Sequence, residues 1–587
     1  MMHFLTNLRL AVGTAAEHFT DDPALLLLHI SRLLPARLVQ PTARLVSSCA
    51  GKESYSSSAL LTGLMSGEEQ EVAGRLEAAL LRGRLSANQA RALADVSLVA
   101  NRPDLDDAFL ARATEARRFR AAQARRFWYS GAMTPAVEIL ENAGGGAERR
   151  QGRRLAAELR ILEGWRPEPA AVPFEPVPRH ALDVLTNSLP HTASGYAHRS
   201  HSILLAKKQA RWETLAVTRV GYPVKVGKLK ARNRDVVGAT YQRLLPSRLS
   251  ATMDGRLQHQ VEEVLAIALE FRPSVLHTTS HHVNALVTRA VAEVIGIPWV
   301  YEVSGHLADT WAATGGAEAR GSERYTLFQE RETEAMLSAD LVVTLGRAVK
   351  DNIVADGVPE EKVLVALNAV GGAFLAEPLP PAEARVQLGL DPKGQYVGTV
   401  SSLVTVSSVV TYEGINDLTS AFGILAPRHP RLKLLIVGGG VALPSLKEQA
   451  RTAGLRERII FAGRVSRSRA HVSHQALEVF VVPRRDLRVT GSVTPLKPVP
   501  ALACARPFIA SKLPALQEVV SDGTNGLLCN AEDQADLAAR LEMLLADSQQ
   551  RVRMGRNGRR TVLKTRTWTS SAQAVGAAYE RILERFR

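Results

Sequence analysis

Basic side chains that could bind a phosphorylated ligand follow a predicted strand in the last third of the chain. Arg484 and Arg485 come directly after the apolar run 479–482, and Lys497 comes just before an apolar helical stretch. Guanidinium and ammonium groups bind phosphate oxygens through charge-assisted hydrogen bonds, and they stabilise negative charge that develops on a leaving group. The pattern predicts a phosphate-binding site with Lys497 as the first candidate and Arg484 as the second.

A glycine-containing loop, residues 188–201, follows the first predicted strand and opens a helix. Gly195 would let backbone N–H groups approach an anionic or polyol ligand, and the helix N-terminus adds positive potential. An ordinary strand-to-helix turn has the same composition, so both interpretations remain open. Arg219, after the second predicted strand, is a comparable candidate for an acidic ligand, with a surface arginine as the alternative.

Acid–base candidates follow a third strand, in the segment 301–306. Side chains at the carboxyl end of a parallel strand point towards the cleft in which such folds bind ligands. Glu302 is the best acidic candidate there, and His306 is a weaker one. An ion-paired structural carboxylate explains Glu302 equally well, so the sequence does not choose between these two roles.

Composition limits the classes of protein that this chain can belong to. It has 587 residues, 46% hydrophobic and 22% charged, which indicates a globular protein of several domains. Three cysteines are too few for a disulfide framework or a zinc site, so we expect a cytoplasmic protein without a metal. No 18-residue apolar run predicts a membrane span. The net charge of +15 is explained by attraction to an anionic membrane surface or by charged helix faces exposed to solvent. Because no basic-aromatic motif accompanies the charge, it does not indicate a nucleic-acid partner.

Changes of periodicity divide the chain into five segments. Leucine and alanine recur at helical spacing in residues 1–166, and five prolines in 167–179 predict a stiff linker. Strands then alternate with helices in 180–372 and again in 373–566, and a last helix covers 567–587. Such alternation is typical of two doubly wound parallel sheets, with a ligand cleft between their carboxyl ends. We therefore expect an α/β protein preceded by an all-helical domain.

The second α/β segment resembles a known enzyme family. Its motifs are VTPLKPVPALA at 493–503, RPFIAS at 506–511 and EVVSDGTNGLL at 518–528. This order is similar to the nucleotide-sugar half of retaining GT-B glycosyltransferases of family 4, and the resemblance extends over about 180–587. It implies two Rossmann-like domains with the C-terminal helix packed back on the first. It also implies transfer of a sugar from a nucleotide-sugar donor to a hydroxyl, without a cofactor. The donor-binding residues that it implies are Gly195, Gly398, Arg484, Thr494 and Lys497.

The chain departs from this family pattern at its donor site. Pro500 and Ser492 stand where the family has two glutamates, and Ser304 replaces an expected arginine. Residues 401–411 nearly repeat a six-residue unit in the loop that should meet the diphosphate. These departures leave two alternatives: a catalytically weakened GT-B protein that acts as a binding or scaffold subunit, and a sugar-nucleotide epimerase. For a transferase, we expect a lipid-linked or saccharide acceptor from surface polysaccharide or glycolipid synthesis.

Overall fold

Helices form the N-terminal part of the protein, and two mostly parallel sheets follow. The computed structural model describes residues 2–21, 55–66, 68–81, 85–313, 315, 318–400, 411–440 and 442–586. Before residue 163 the regular elements in these ranges are all helical. They are α1 (Met2–Asp21), α2 (Ser57–Ser66), α3 (Glu69–Leu81), α4 (Ala87–Val99), α5 (Pro103–Leu110), α6 (Phe119–Ser130), α7 (Met133–Glu141) and α8 (Gly146–Leu162).

The helical part packs on the first sheet domain through α7 and α8. Leu60, Leu76 and Phe109 are fully buried in its own core, as the leucine spacing predicts. The Glu323 carboxylate accepts hydrogen bonds from the backbone N–H groups of Met133, at 2.7 Å, and Thr134, at 2.9 Å. This carboxylate satisfies N–H groups at the start of α7 that have no partner within the helix. The contact therefore fixes the helical part against the domain that follows.

The first sheet has eight strands in the order β3-β4-β2-β1-β5-β6-β7-β8. All neighbours pair in parallel except β3 and β4. The strands are β1 (His180–Leu185), β2 (Glu213–Thr218), β3 (Arg234–Val237), β4 (Ala239–Gln242), β5 (Val275–Thr279), β6 (Trp299–Val303), β7 (Leu341–Thr344) and β8 (Val363–Val365). The helices are α9 (Gly195–Gln209), α10 (Met253–Phe271), α11 (His282–Ile295), α12 (Leu307–Ala312), α13 (Glu323–Ser338) and α14 (Arg347–Ala355). Together they form the first α/β domain.

The second sheet has six strands, all parallel, in the order β11-β10-β9-β12-β13-β14. The strands are β9 (Gln395–Val400), β10 (Leu432–Val437), β11 (Ile459–Gly463), β12 (Val479–Val482), β13 (Phe508–Ser511) and β14 (Gly526–Cys529). The helices are α15 (Pro381–Leu388), α16 (Ile415–Leu425), α17 (Leu443–Thr452), α18 (Arg467–Gln475), α19 (Arg488–Ser492), α20 (Pro498–Ala503), α21 (Pro514–Gln517), α22 (Gln534–Ala546) and α23 (Ser548–Thr565). Together they form the second α/β domain.

Both sheets are covered on both faces, which explains why their central strands are apolar without alternation. In the second domain Phe422 and Leu541 pack on one face, while Leu502 and Val562 pack on the other. The last helix, α24 (Trp568–Arg585), returns to the first domain, where Tyr579 is buried against the sheet. The protein therefore crosses between the two domains twice, once before α15 and once before α24.

Three features differ from the expected organisation. The edge strand β3 and its neighbour β4 were not predicted, because each has only four residues. Strand β14, which begins at Gly526 directly after a turn at 523–525, was not among the predicted strands. The proline-rich segment 167–179 is not a spacer: Val172 and Phe174 pack against the core of the first domain.

Candidate functional site

A cavity of about 730 Å³ lies between the two α/β domains. Its walls come from α9, the chain crossing at 369–375, α18, α20 and the start of α24. The cations Arg199 and Lys497 line it together with the rings of Phe374, His474 and Trp568, and the described lining residues include no carboxylate. A cavity of this size and character suits a small ligand that has negative charge and an apolar or aromatic part.

A cluster of three charged side chains lies beside this cavity in the second domain. Arg484 donates to Glu413 from Nη2 at 2.8 Å, and Lys497 Nζ donates to the other Glu413 oxygen at 2.9 Å. All three side chains are largely buried. Burial alone would raise the pKa of Glu413, but the charges and hydrogen bonds of Arg484 and Lys497 lower it to about 2. The carboxylate is therefore ionised, and the cluster has a net charge of +1.

Gly195 lies across the domain boundary from this cluster. It is the first residue of α9, and the Ser194 side chain caps the helix by accepting from Ala197 N at 3.1 Å. The next residue, Tyr196, is 56% exposed, and both Arg484 and Glu413 act electrostatically on its phenol. The two domains therefore place Tyr196 within electrostatic reach of the Arg484–Glu413–Lys497 cluster, as expected if both border one ligand site.

Thr494 is buried at the contact between the two domains. Its carbonyl oxygen accepts from Asn368 Nδ2 at 3.0 Å, whereas its buried hydroxyl has no hydrogen-bond partner in the structure. The preceding Val493 lies so close to Gly305 that a Cβ there would come within 2.4 Å of Val493 Cγ2. This close approach explains a glycine at 305, where φ is +150°. Donor binding by Thr494 stays a prediction.

A second contact joins the domains at the start of α14. The Glu518 carboxylate, from the second domain, accepts from Arg347 N at 2.8 Å and Ala348 N at 2.6 Å. These are first-turn N–H groups of a first-domain helix, which have no partner within the helix. Glu518 therefore caps a helix of the other domain.

Glu302 is buried and paired with a single arginine. Arg199 Nε donates to Glu302 Oε1 at 3.0 Å, and Arg199 Nη2 donates to Oε2 at 3.3 Å. The same guanidinium also donates to the carbonyl oxygen of Ala366 at 3.0 Å. Its charge stabilises the carboxylate, and both oxygens are engaged. These contacts favour the ion-paired alternative for Glu302, and a catalytic role for it stays a prediction.

His306 lies at the start of α12, next to the interdomain contact of Gly305. Its Nε2 is 2.9 Å from Asp356 Oδ2, and its buried Nδ1 has no hydrogen-bond partner in the structure. Burial lowers the pKa of His306, but the Asp356 hydrogen bond and the neighbouring carboxylates of Glu332 and Asp309 outweigh burial and raise it. The Asp356 contact therefore fixes the ring through Nε2, and a catalytic role for His306 stays a prediction.

Gly398 lies inside β9 rather than in a loop. A Cβ at this position would come within 1.9 Å of the carbonyl oxygen of Leu435 on the neighbouring strand β10. The close packing of two strands explains the glycine without any ligand. Gly398 lies two residues before the end of β9, inside the sheet, so its contacts support a packing role better than a donor-binding role. The repeated unit that follows, at 401–411, lies outside the described residues except for its last position.

Pro500 and Ser492 keep their expected positions but offer no carboxylate. Pro500 is the third residue of α20 and lines the cavity. The ring is tolerated there because N–H groups of a first helical turn have no partner in the helix. The Ser492 hydroxyl donates to the carbonyl oxygen of Arg488 at 2.9 Å. Neither residue can take over the two hydroxyl contacts of a glutamate.

Two residues that were not predicted, Glu413 and Arg199, form ion pairs with predicted site residues. Glu413 stands in the segment Tyr412-Glu413-Gly414, whose place in a ligand loop was visible, but nothing in the sequence pairs it with Arg484. Arg199 lies within the 188–201 loop, yet its partner Glu302 is 103 residues away. Only the folded sheet order brings such pairs together.

Arg219 lies just after the end of β2 and contacts a neighbouring amide side chain. Arg219 Nε donates to Asn284 Oδ1 at 2.7 Å, and the buried Nη2 of Arg219 has no hydrogen-bond partner in the structure. Burial lowers the pKa of the Arg219 guanidinium to about 10.

Within the described ranges, no three histidine, cysteine or acidic side chains come together in a way that could hold a metal ion. None of the helices in those ranges is long and apolar enough to cross a bilayer.

Two family models match the chain, one in each α/β domain. Residues 189–369 match the model described as a glycosyl transferase 4-like domain, and residues 393–561 match the model of glycosyl transferases group 1. Each α/β domain is therefore similar to a glycosyltransferase domain.

Individual relatives are distant and are matched over part of their length. A phosphatidylinositol monomannoside mannosyltransferase of Mycolicibacterium smegmatis, described as GDP-mannose-dependent and alpha-(1-6), is 28% identical over 210 residues. The match covers 34% of this chain and 55% of that protein. The lipopolysaccharide core mannosyltransferase LpsB of Rhizobium meliloti is 26% identical over 37% of this chain and 61% of its own. The chain thus spans little more than half the length of these relatives.

Solved structures resemble the two α/β domains as a pair. Sucrose-phosphate synthase from Thermosynechococcus elongatus aligns with a TM-score of 0.57 and 20% identity, over 69% of this chain and 100% of that one. The Anabaena protein Alr3699/HepE, in complex with UDP and glucose, aligns with a TM-score of 0.52 and 17% identity, over 68% and 99% of the two chains. At these identities the likeness establishes a GT-B-type fold.

Proposed function

We propose that this protein transfers a sugar from a nucleotide diphosphate donor to a hydroxyl acceptor. The observation that carries the proposal is the Arg484–Glu413–Lys497 cluster, which borders an interdomain cavity and faces the start of α9. As the bond between the sugar and the diphosphate breaks, negative charge grows on the leaving phosphate oxygen. Two buried cations fixed by a shared carboxylate are positioned before the reaction and need little reorganisation to stabilise that charge.

The finer assignments are parts of the same proposal. We infer retention of the anomeric configuration and no resident cofactor from the family resemblance, and a cytoplasmic location from the low cysteine count. The acceptor is a lipid-linked or saccharide precursor of a surface polysaccharide or glycolipid, as the names of the two mannosyltransferase relatives suggest. UDP and GDP are the first nucleotides to test, because the aligned HepE complex contains UDP and the Mycolicibacterium relative is described as GDP-mannose-dependent.

Calorimetric titration of the purified protein with UDP, GDP and ADP tests the donor site. We expect one nucleotide to bind more tightly than the other two, because a site that recognises the base rejects the wrong hydrogen-bonding pattern. The corresponding nucleotide sugar is then incubated with the protein, and release of the nucleoside diphosphate is measured with and without saccharide acceptors. Release that depends on an acceptor supports a transferase. Sugar interconversion without an acceptor would instead indicate an epimerase, and no binding of any nucleotide would contradict the proposal.

One observation favours a second candidate, a protein with the same fold that binds donors weakly and acts as a binding subunit. Pro500 lines the cavity where the family resemblance places a glutamate that contacts hydroxyl groups, and proline has no side-chain acceptor.

Replacing Pro500 with glutamate therefore distinguishes the two candidates. If the natural site is degenerate, the new carboxylate is expected to tighten nucleotide binding by about 10- to 100-fold, since each hydrogen bond to a charged group contributes about 1.5–3 kcal/mol. Titration with the best nucleotide measures the change, and Pro500→Gln is the matched uncharged control. Unchanged or weaker binding in Pro500→Glu would argue that the natural site is complete without a carboxylate.

A further inference from the structure

Helix α1 has an exposed apolar face. Phe4, Leu5, Leu8 and Val12 are 44%, 51%, 38% and 60% exposed, and their spacing places them along one side of the helix. Arg9 lies exposed among them, while Asn7 and Leu10 on the other side are buried. A row of four large exposed side chains on one helix is more than the scattered apolar residues of an ordinary surface. We call these four residues the α1 face.

A strongly basic segment runs beside α1 on the first α/β domain. Residues 225–234 include five cations, and the side chains of Lys228, Lys230, Arg232 and Arg234 form no ion pair with any residue that the structure describes. Exposed valines accompany them: Val226 within the segment, and Val236 and Val237 just after it. We call residues 225–234 the basic segment. Its combination of unpaired cations with exposed aliphatic side chains is unusual for a purely solvated loop.

Specific contacts hold α1 against the basic segment. Asn7 Nδ2 donates to the carbonyl oxygens of Leu229 and Ala231, both at 2.9 Å. Leu10 packs on Val224 and Ala231 in a small apolar cluster. The two features therefore form one continuous surface with apolar and cationic parts.

We propose that the α1 face and the basic segment together dock on an anionic lipid bilayer. Lysine and arginine side chains are attracted to the negative headgroups, and the apolar side chains enter the boundary between headgroups and acyl chains. The apolar row distinguishes this surface from a nucleic-acid site, where phosphate contacts require cations and gain nothing from exposed leucines. The net charge of +15 adds a general attraction in the same direction.

This surface is connected to the glycine loop of the candidate site. Asp235, next to the basic segment, bonds His191 Nε2 at 3.0 Å and Arg243 Nε at 2.9 Å. Arg243 Nη2 in turn donates to the carbonyl oxygen of Leu189 at 2.8 Å. A bilayer docked here would lie next to the loop that leads to Gly195. If the proposed glycosyl transfer is correct, on which this step rests, the acceptor is carried in the membrane.

Vesicle co-sedimentation of the full chain tests the docking surface. We expect binding to vesicles of equimolar phosphatidylcholine and phosphatidylglycerol, and little binding to phosphatidylcholine alone. Changing Lys228, Lys230 and Arg232 together to glutamate should weaken binding by at least about 10-fold, because each exposed cation adds to the attraction. Leu5→Ser combined with Leu8→Ser should also weaken it at unchanged charge. The matched control changes Arg553, Arg556 and Arg560, exposed residues of α23 in the second domain, to glutamate.

The outcomes separate the docking surface from its alternatives. Equal loss of binding in the α23 control, or binding that neither test variant changes, would overturn the proposal. The proposal would also be overturned if single-stranded RNA bound the basic segment as tightly as vesicles do and the Leu5→Ser, Leu8→Ser variant bound RNA equally well. A dimer that dissociates when Leu5 and Leu8 are changed would assign the α1 face to a second copy of the chain. Nucleotide titration of the same variants tests the proposed function separately. Vesicle binding should be lost in these variants while their affinity for the nucleotide donor is unchanged.

Discussion

Replacing Lys497 with alanine is expected to weaken binding of the preferred nucleoside diphosphate by about 10- to 100-fold. Lys497 contributes a largely buried ammonium group beside the interdomain cavity, and hydrogen bonds to charged groups contribute about 1.5–3 kcal/mol each. Arg484 remains paired with Glu413 in the variant, so the fold should survive the change. Isothermal titration measures the affinity, and the rate of nucleotide-sugar turnover should fall at least as far.

Lys393→Ala is the matched control for this change. Lys393 is an exposed lysine of the same domain, in the turn before β9. Its removal alters the net charge equally but should leave nucleotide affinity within about twofold, because exposed charges are screened. If both variants lose affinity equally, the effect is a general electrostatic one. If Lys497→Ala binds as the natural protein does, the cluster is not the diphosphate site.

Replacing Glu413 with glutamine should have the largest effect on stability. The change leaves Arg484 and Lys497 largely buried without their counter-charge, which typically costs about 3–5 kcal/mol. Chemical denaturation should show the loss in the nucleotide-free protein. A bound diphosphate would supply the missing negative charge, so the variant should bind the nucleotide more tightly and regain part of its stability. A variant that is destabilised but not rescued by nucleotide would place the diphosphate elsewhere.

The same cluster predicts how stability depends on pH. The pKa of Glu413 is about 2 in the folded protein and 4.5 in its ordinary state. A group whose pKa is lower when folded stabilises the protein above its unfolded pKa, and that contribution is lost as the pH falls from about 4.5 towards 2. The contribution is about 3 kcal/mol. Glu413→Gln should lack this part of the acid dependence when free energies of unfolding are measured across that range.

Two further variants control the Glu413 experiment. Glu532→Gln removes a half-exposed carboxylate 3.9 Å from the neighbouring Arg485, and should change stability by less than about 1 kcal/mol. Combining Glu413→Gln with Lys497→Met removes one of the two unpaired cations. The double variant should therefore be more stable than Glu413→Gln alone.

The sequence predicted the strands well because their signal is local. Short apolar runs that are buried on both sheet faces, such as Leu341–Thr344 and Val479–Val482, can be recognised without knowledge of their neighbours. The strands β3 and β4 lack that signal because each has only four residues: β3 is a mostly exposed edge strand, and β4 alternates buried and half-buried residues. The return of α24 to the first sheet was expected from the family resemblance and not from periodicity, and no strand order was predicted.

The sequence selected candidate site residues by type but could not pair them. Lys497 lines the interdomain cavity and Arg484 shares its partner Glu413, while the donor-binding roles of Arg484, Lys497 and Gly195 stay predictions. Glu413, the partner of Arg484 and Lys497, was overlooked, and Glu302 stayed open between a catalytic and an ion-paired role, because a carboxylate in a sequence does not reveal which cation it meets. Gly398 was expected to bind the donor; the structure gives this glycine a packing reason as well, the close backbone of β10, which no local pattern indicates.

Because Glu518 of the second domain caps α14 of the first, the stability of the α14 N-terminus depends on how the two domains are oriented. Any rotation that separates them must withdraw the carboxylate from the N–H groups of Arg347 and Ala348, and loss of such a cap typically costs about 1 kcal/mol. Opening and closing of the cleft are therefore linked to fraying of one helix end. A change that stabilises the first turn of α14 independently would shift the population towards open molecules without touching the cleft.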